Sequence, residues 1–163
     1  MKIKLTHSLL TLILAWFIVA SANAQDQVEI PLARDFTLEA TNARTNNIPV
    51  LVLFSRHNCP YCVQILQEFL LPMRRNAEYD AKVIMRQIDI GSSAPLRTFS
   101  GKTTTHARFA RENGIKLTPT IKLFDAEGHE LTEALVGLTT PDYYGGFLDQ
   151  RIDQALAKMR GKI

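Results

Sequence analysis

Cys59 and Cys62 stand three residues apart and are the only two cysteines in a chain of 163 residues. The apolar run Ile48 to Phe54 comes just before them and a run of helical periodicity, Val63 to Leu70, just after, so the pair sits at a strand-to-helix corner. If a helix opens at or near Cys59, both sulfurs fall in its first turn. Unpaired backbone N–H groups and the positive end of the helix dipole favour negative charge there. Pro60 suits that turn, because its fixed φ and missing N–H cost nothing at a first helical position. The thiolate is the reactive form of cysteine, and motifs of this kind lower the thiol pKa to roughly 3.5–7.5 from about 8.5. Cys59 is therefore expected to be the exposed, attacking sulfur. Cys62, one turn deeper, is expected to resolve the mixed disulfide and free the substrate.

Other uses of the pair stay open from the residues alone. Tetrahedral structural zinc needs four ligands, so His57, His106 or His129 would have to complete the site in place of a second cysteine pair. A purely structural disulfide would close so short a loop that it constrains the unfolded chain little. His57 could help to stabilise a Cys59 thiolate if its ring were cationic and near, or be a solvated loop residue. Tyr61 offers an amphipathic surface beside the sulfur rather than acid–base chemistry.

The first 24 residues read as an address. Lys2 and Lys4 give a positive start, Leu9 to Ala20 is apolar, and Ala22-Asn23-Ala24 is a small-x-small cleavage pattern. The apolar run is shorter than the ~20 residues that span a bilayer, so we expect a secretory signal peptide cleaved after Ala24 and a single domain over 25–163. Export would place the cysteines where disulfides form and persist. Lys2 and Lys4 also carry part of the net charge of +3. The remaining basic residues are scattered among acids without a run or an aromatic-interleaved stripe, so nucleic acid is not an expected partner.

Taken in order, Leu32 to about Asn46 has the spacing of a surface helix, and Ile48 to Phe54 reads as a central strand covered on both faces. The helix opened by the cysteines is expected to end or kink at Pro72. Ala81 to Ile90 reads as the next strand, and Gly91 to about Thr105, rich in Gly, Ser, Thr and Pro, as a long surface loop. A short helix follows to Asn113 with Gly114 behind it, then a strand from Thr120 to Phe124, a turn at Asp125 to Gly128, and a hairpin partner from Leu131 to Val136. Thr140-Pro141-Asp142 opens a last helix. Gly145 and Gly146 inside it point either to an irregular first turn or to close approach of another element. The order implies an α/β sandwich with a small mixed sheet flanked by helices, closed by a β-hairpin and a helix.

Cys59-Pro60-Tyr61-Cys62 at a strand-to-helix corner, followed by Ile115-Lys116-Leu117-Thr118-Pro119-Thr120 at the start of a strand, resembles the thioredoxin superfamily from about Ile48 to the C-terminus. The resemblance implies a thioredoxin-like fold and a cis-proline at Pro119 facing the disulfide. It implies that Thr118 pairs with the substrate backbone, so that Pro60, Tyr61, Thr118 and Pro119 bind substrate while Cys59 and Cys62 are catalytic. Two departures bear on electron flow: where thioredoxins carry a buried acid and a Trp, this chain has Leu53 and Asn58. Pro-Tyr between the cysteines is similar to glutaredoxins and some periplasmic disulfide isomerases, but no glycine pair follows Pro119 closely, and no glutathione site is inferred.

The nearest likeness is to small periplasmic thioredoxin-like proteins that hand electrons to exported clients. The expected function is that of an exported, periplasmic thiol-disulfide oxidoreductase without bound cofactor or metal, more a reductase than an oxidase. Its partners would be client proteins with thiols or disulfides and a membrane thiol-disulfide electron donor or acceptor. The alternative is a non-catalytic binding module on the same fold, metal-loaded or client-holding.

Overall fold

A computed structural model describes residues 28–162. The expected signal peptide lies outside the described residues.

The central strand β1, Val50–Ser55, is buried at all six positions. Its neighbours give a mixed four-stranded sheet in the order β2 (Ile84–Asp89), β1, β5 (Thr120–Phe124), β6 (Leu135–Val136). Strand β2, Ile84–Asp89, runs parallel to β1, with Val50 opposite Ile84 and Ser55 opposite Asp89. Strand β5, Thr120–Phe124, runs antiparallel on the other side, and β6, Leu135–Val136, pairs antiparallel with β5. A parallel pair needs a crossover, and here the segment after the cysteines supplies it.

Alternation along β1 divides the core in two. Val50, Val52 and Phe54 join one apolar cluster with Phe36, Ala40, Phe109 and Phe124. Leu51 and Leu53 join the other, with Ile65, Leu70, Leu148 and Ile152. Helices α1, Phe36–Asn46, and α4, His106–Glu112, contribute to the first cluster; α2, Pro60–Ile65, and the long α5, Pro141–Met159, contribute to the second. A strand covered on both faces has to be apolar at every position, which is why Val50 to Phe54 shows no polar alternation.

The helix after the cysteines does not stop at Pro72. It widens into a π-helical turn at Leu66–Leu70 and continues as α3, Leu71–Arg75. The Leu71 N–H reaches back five residues to the Leu66 carbonyl. A proline ring in a regular helix collides with the carbonyl four residues earlier, and the wider turn accommodates Pro72 while the helix goes on. A 3₁₀ turn, Ala77–Ala81, leads into β2.

The stretch from Gly91 to Thr105 is not a plain surface loop. It folds into a separate antiparallel ribbon of β3, Pro95–Arg97, and β4, Thr103–Thr105. Leu96 is fully buried in the first cluster, and Phe99 in the ribbon's turn stacks on Phe36 with ring centroids 4.5 Å apart. The isolated apolar residues inside a Gly/Ser/Thr-rich sequence anchor the ribbon. The expected hairpin partner from Leu131 is shorter than its sequence, pairing only at Leu135 and Val136 with a separate bridge from Glu130 to Phe124.

The last helix is unbroken from Pro141, so the expected alternative of an irregular first turn does not hold. A side chain on Gly145 would meet the Phe69 ring at 3.4 Å, whereas nothing lies within 4 Å of the corresponding position on Gly146. The first distance is an ordinary van der Waals contact, so the structure requires glycine at neither position.

Candidate active site

Strand β1 ends at Ser55, and three exposed residues, Arg56, His57 and Asn58, carry the chain to the helix. Asn58 takes φ 58°, a left-handed conformation that asparagine tolerates better than most residues. The turn places Cys59 in the N-cap position of α2 with Pro60 in its first turn. The Cys62 N–H is shared between the Cys59 sulfur, at 3.2 Å, and the Cys59 carbonyl, at 3.1 Å, so the first sulfur occupies the position of a capping oxygen. The cysteines form a disulfide with their Cα atoms 5.2 Å apart. Cys62 is only 2 % exposed, while Cys59 keeps part of its surface open and Tyr61 and Pro60 stand in solvent. The local sequence produces this asymmetry. The N-cap residue lies at the helix mouth, and the residue three further on, one turn in, is buried as Ile65 is.

Pro119 and Thr118 reach the same end of the sheet by another route. Thr120 pairs with Phe54, so the two preceding residues lie beyond the end of the β1 ladder, on the β5 side of the turn that carries the cysteines. The Thr118–Pro119 peptide is cis. Pro119 is buried and its carbonyl accepts from Gly137 N–H at 2.8 Å, while Thr118 is half-buried. The Thr120 hydroxyl donates to the Leu117 carbonyl and tightens the bend. Leu117, like Tyr61, is an exposed apolar side chain.

On the opposite, β2 side of the disulfide runs a groove of about 750 Å³. Both cysteines line it; Thr118 and Pro119 do not. Its further wall is the segment from Glu29 to Asp35, which extends the sheet: Gln87 N–H donates to the Pro31 carbonyl and Ala33 N–H to the Gln87 carbonyl, each at 2.9 Å. Ser55 and Gln87 are among its polar lining residues. The Gln87 amide donates to the Ser55 hydroxyl, and that hydroxyl donates to the Ile88 carbonyl. Asp35, which caps α1, is held below the usual carboxylate range by the Thr37 hydroxyl first; desolvation opposes this, and the Thr37 N–H and the nearby Arg97 guanidinium add to the lowering.

Histidine plays varied parts. His106 is buried and uses both ring nitrogens: Nδ1 accepts from the Asp89 N–H at 3.2 Å, and Nε2–H donates to the Ala33 carbonyl at 2.7 Å. It joins the first residues of the domain to the end of β2. His129 pairs with Asp125 in an exposed turn, and His57 lines the groove. Sequence reasoning missed the groove's inner residues. The signals were present in Ser55, a hydroxyl closing an apolar run, and in Gln87, a half-buried polar residue just before the buried Ile88. Leu53, where the resemblance looks for an acid, is fully buried among apolar side chains.

Comparison with curated proteins found no match. Among solved structures, a poplar thioredoxin h mutant is 19 % identical with a TM-score of 0.53, over 84 % of this chain and 91 % of that one. Thioredoxin O2 from Arabidopsis thaliana in its oxidised state is 15 % identical with a TM-score of 0.51, over 76 % and 95 %. Thioredoxin f from spinach chloroplast is 16 % identical with a TM-score of 0.51, over 78 % and 94 %. At these identities the likeness is one of fold. The family profile of the thioredoxin-like domain matches residues 36–152, which takes in the strand, the cysteine corner, the proline bend and most of the last helix. The chain belongs to the thioredoxin-like domain family.

Proposed function

We propose that this protein is an exported thiol-disulfide oxidoreductase acting on client proteins through Cys59 and Cys62. The observation that carries the reading is the asymmetry of the pair: an accessible sulfur at a helix N-cap, backed by a buried one a turn away. In the reducing direction, the Cys59 thiolate attacks one sulfur of a client disulfide. The client S–S bond breaks, and its other sulfur leaves as a thiolate and takes a proton. The Cys62 thiolate then attacks the Cys59 sulfur, which forms the internal disulfide and releases the second client thiol. The client gains two electrons and the protein loses two. A membrane thiol-disulfide donor would restore the dithiol. Thr118, Pro119, Pro60 and Tyr61 would hold the client backbone on the β5 side. Work in the periplasm after cleavage behind Ala24 completes the proposal; the sequence pattern of residues 1–24 supports it.

Trapping tests the reaction. Cys62→Ser protein, incubated with a peptide disulfide, should accumulate a mixed disulfide at Cys59 that intact-mass analysis identifies, while Cys59→Ser should not. Failure of both reduced wild type and Cys62→Ser to react with any disulfide would overturn the enzymatic reading. Fractionation and N-terminal analysis of the expressed protein test export, with Gln25 as the expected first residue.

A further inference from the structure

The resolving step makes a demand that the first attack does not. Cys59 loses its proton at the open helix mouth, but Cys62 is buried, and only its thiolate can attack. Burial opposes that charge, so resolution calls for a base within reach of the groove that both cysteines line. Leu53, on the α2-facing side of β1, offers none. Alternation along β1 and its register with β2 sort the other lining residues. Leu51 and Leu53 face the α2 layer, so Ser55 does too, and their partners across the ladder, Gln87 for Leu53 and Asp89 for Ser55, share that side. The bond from the Gln87 amide to the Ser55 hydroxyl agrees with this placement. Of the lining carboxylates, Glu39 is paired with Arg86, whose partner Val52 belongs to the other cluster, so that pair sits on the opposite face. Asp35 is committed to Thr37 and Arg97. Glu29 stands exposed on the outer wall, as His57 does at the mouth. Asp89 is half-buried and on the side of Cys62. One of its oxygens accepts from the Gly91 N–H at 2.9 Å, and among the described residues the other has no partner and the carboxylate makes no ion pair.

We propose that Asp89 is the proton acceptor for Cys62 in the resolving step, acting through water in the groove. This rests on the exchange reading above. In the mixed disulfide, the Cys62 thiol proton passes by way of a water to the Asp89 carboxylate. The Cys62 sulfur bonds to the Cys59 sulfur, the bond between Cys59 and the client breaks, and the client sulfur leaves with the electron pair. Asp89 then gives up its proton, through the same water, to the departing thiolate. The two cysteines supply both electrons, and the carboxylate ends as it began.

The test reads the two steps separately. Reduced protein is mixed with one equivalent of a short peptide whose single cysteine is activated as a 2-pyridyl disulfide. Release of pyridine-2-thione, read by absorbance, reports attack by Cys59, and intact mass after acid quenching follows decay of the mixed disulfide as Cys62 resolves it. Asp89→Asn keeps an oxygen for the Gly91 N–H but cannot take the proton. At mildly acid pH it should release thione at the wild-type rate and resolve about a hundredfold more slowly, with the gap closing toward alkaline pH, where hydroxide takes the proton instead. Glu29→Gln, which removes an exposed carboxylate from the same groove, should resolve as wild type does. A carboxylate acting only as a nearby negative charge would hold Cys62 protonated, and its removal would speed resolution. Unchanged or faster resolution in Asp89→Asn, the same loss in Glu29→Gln or in His57→Asn, or an equal loss of both steps in Asp89→Asn overturns the proposal. Wild-type protein that releases no thione instead overturns the exchange reading.

Discussion

Cys62 is buried, while Cys59 remains partly open at the helix mouth. In the reduced protein at mildly acid pH, Cys59 should therefore be alkylated much faster than Cys62. Peptide mapping after a brief pulse of iodoacetamide reads this directly, and equal rates would remove the assignment of roles. The pair and its order were legible from spacing alone, because an i, i+3 pattern at a helix start separates an outer from an inner position. Asp35 was not legible as a functional or capping residue, since its effect depends on Thr37 and on Arg97, which the ribbon brings from far along the chain. Its lowered folded pKa sets a sign. The carboxylate contributes stability in full above the unfolded value of about 3.9, and that contribution is lost as pH falls through the lower folded value. Asp35→Asn should lower the upper part of a stability-against-pH curve and flatten its acid limb, so that variant and wild type converge in acid, as measured by urea unfolding from pH 5 downward.

At the scale of elements, the segment between β2 and α4 behaves as part of the core. Leu96→Ala should cost about 2–5 kcal/mol, which a shifted urea midpoint would register; a change close to zero would return the ribbon to the status of a surface loop. Gly128 has φ +88°, and a side chain there would stand 2.9 Å from the Phe99 ring. Gly128→Ala should accordingly destabilise by more than about 1 kcal/mol. No period announces this segment, since its strands are three residues each and one buried leucine per strand pair is below what alternation can reveal. The strands β1, β2 and β5 were legible for the opposite reason, being dense in apolar and β-branched residues. Pro72 was a sound warning of distortion but a poor stop signal, because a helix can absorb a proline by widening a turn upstream of it.

Across the whole molecule, the two apolar clusters share β1 as their common wall. Neither can keep its packing if that strand leaves. Unfolding should be a single cooperative step, with near-UV signals from Tyr79 and Tyr144, which lie in one cluster, coinciding with far-UV loss of helix in both layers. Separate midpoints would show that the layers come apart independently. The sheet's margins carry a different consequence. On one side the last strand is two residues long, and on the other the backbone of β2 is covered by a segment that contains Pro31, which has no N–H to offer. A protein acting as proposed would meet partners in half-folded states, whose loose strands zip onto any open ladder. Among the described residues such a partner would find little open ladder on the four-stranded sheet, so a failed encounter would end in separation rather than in the seed of an aggregate.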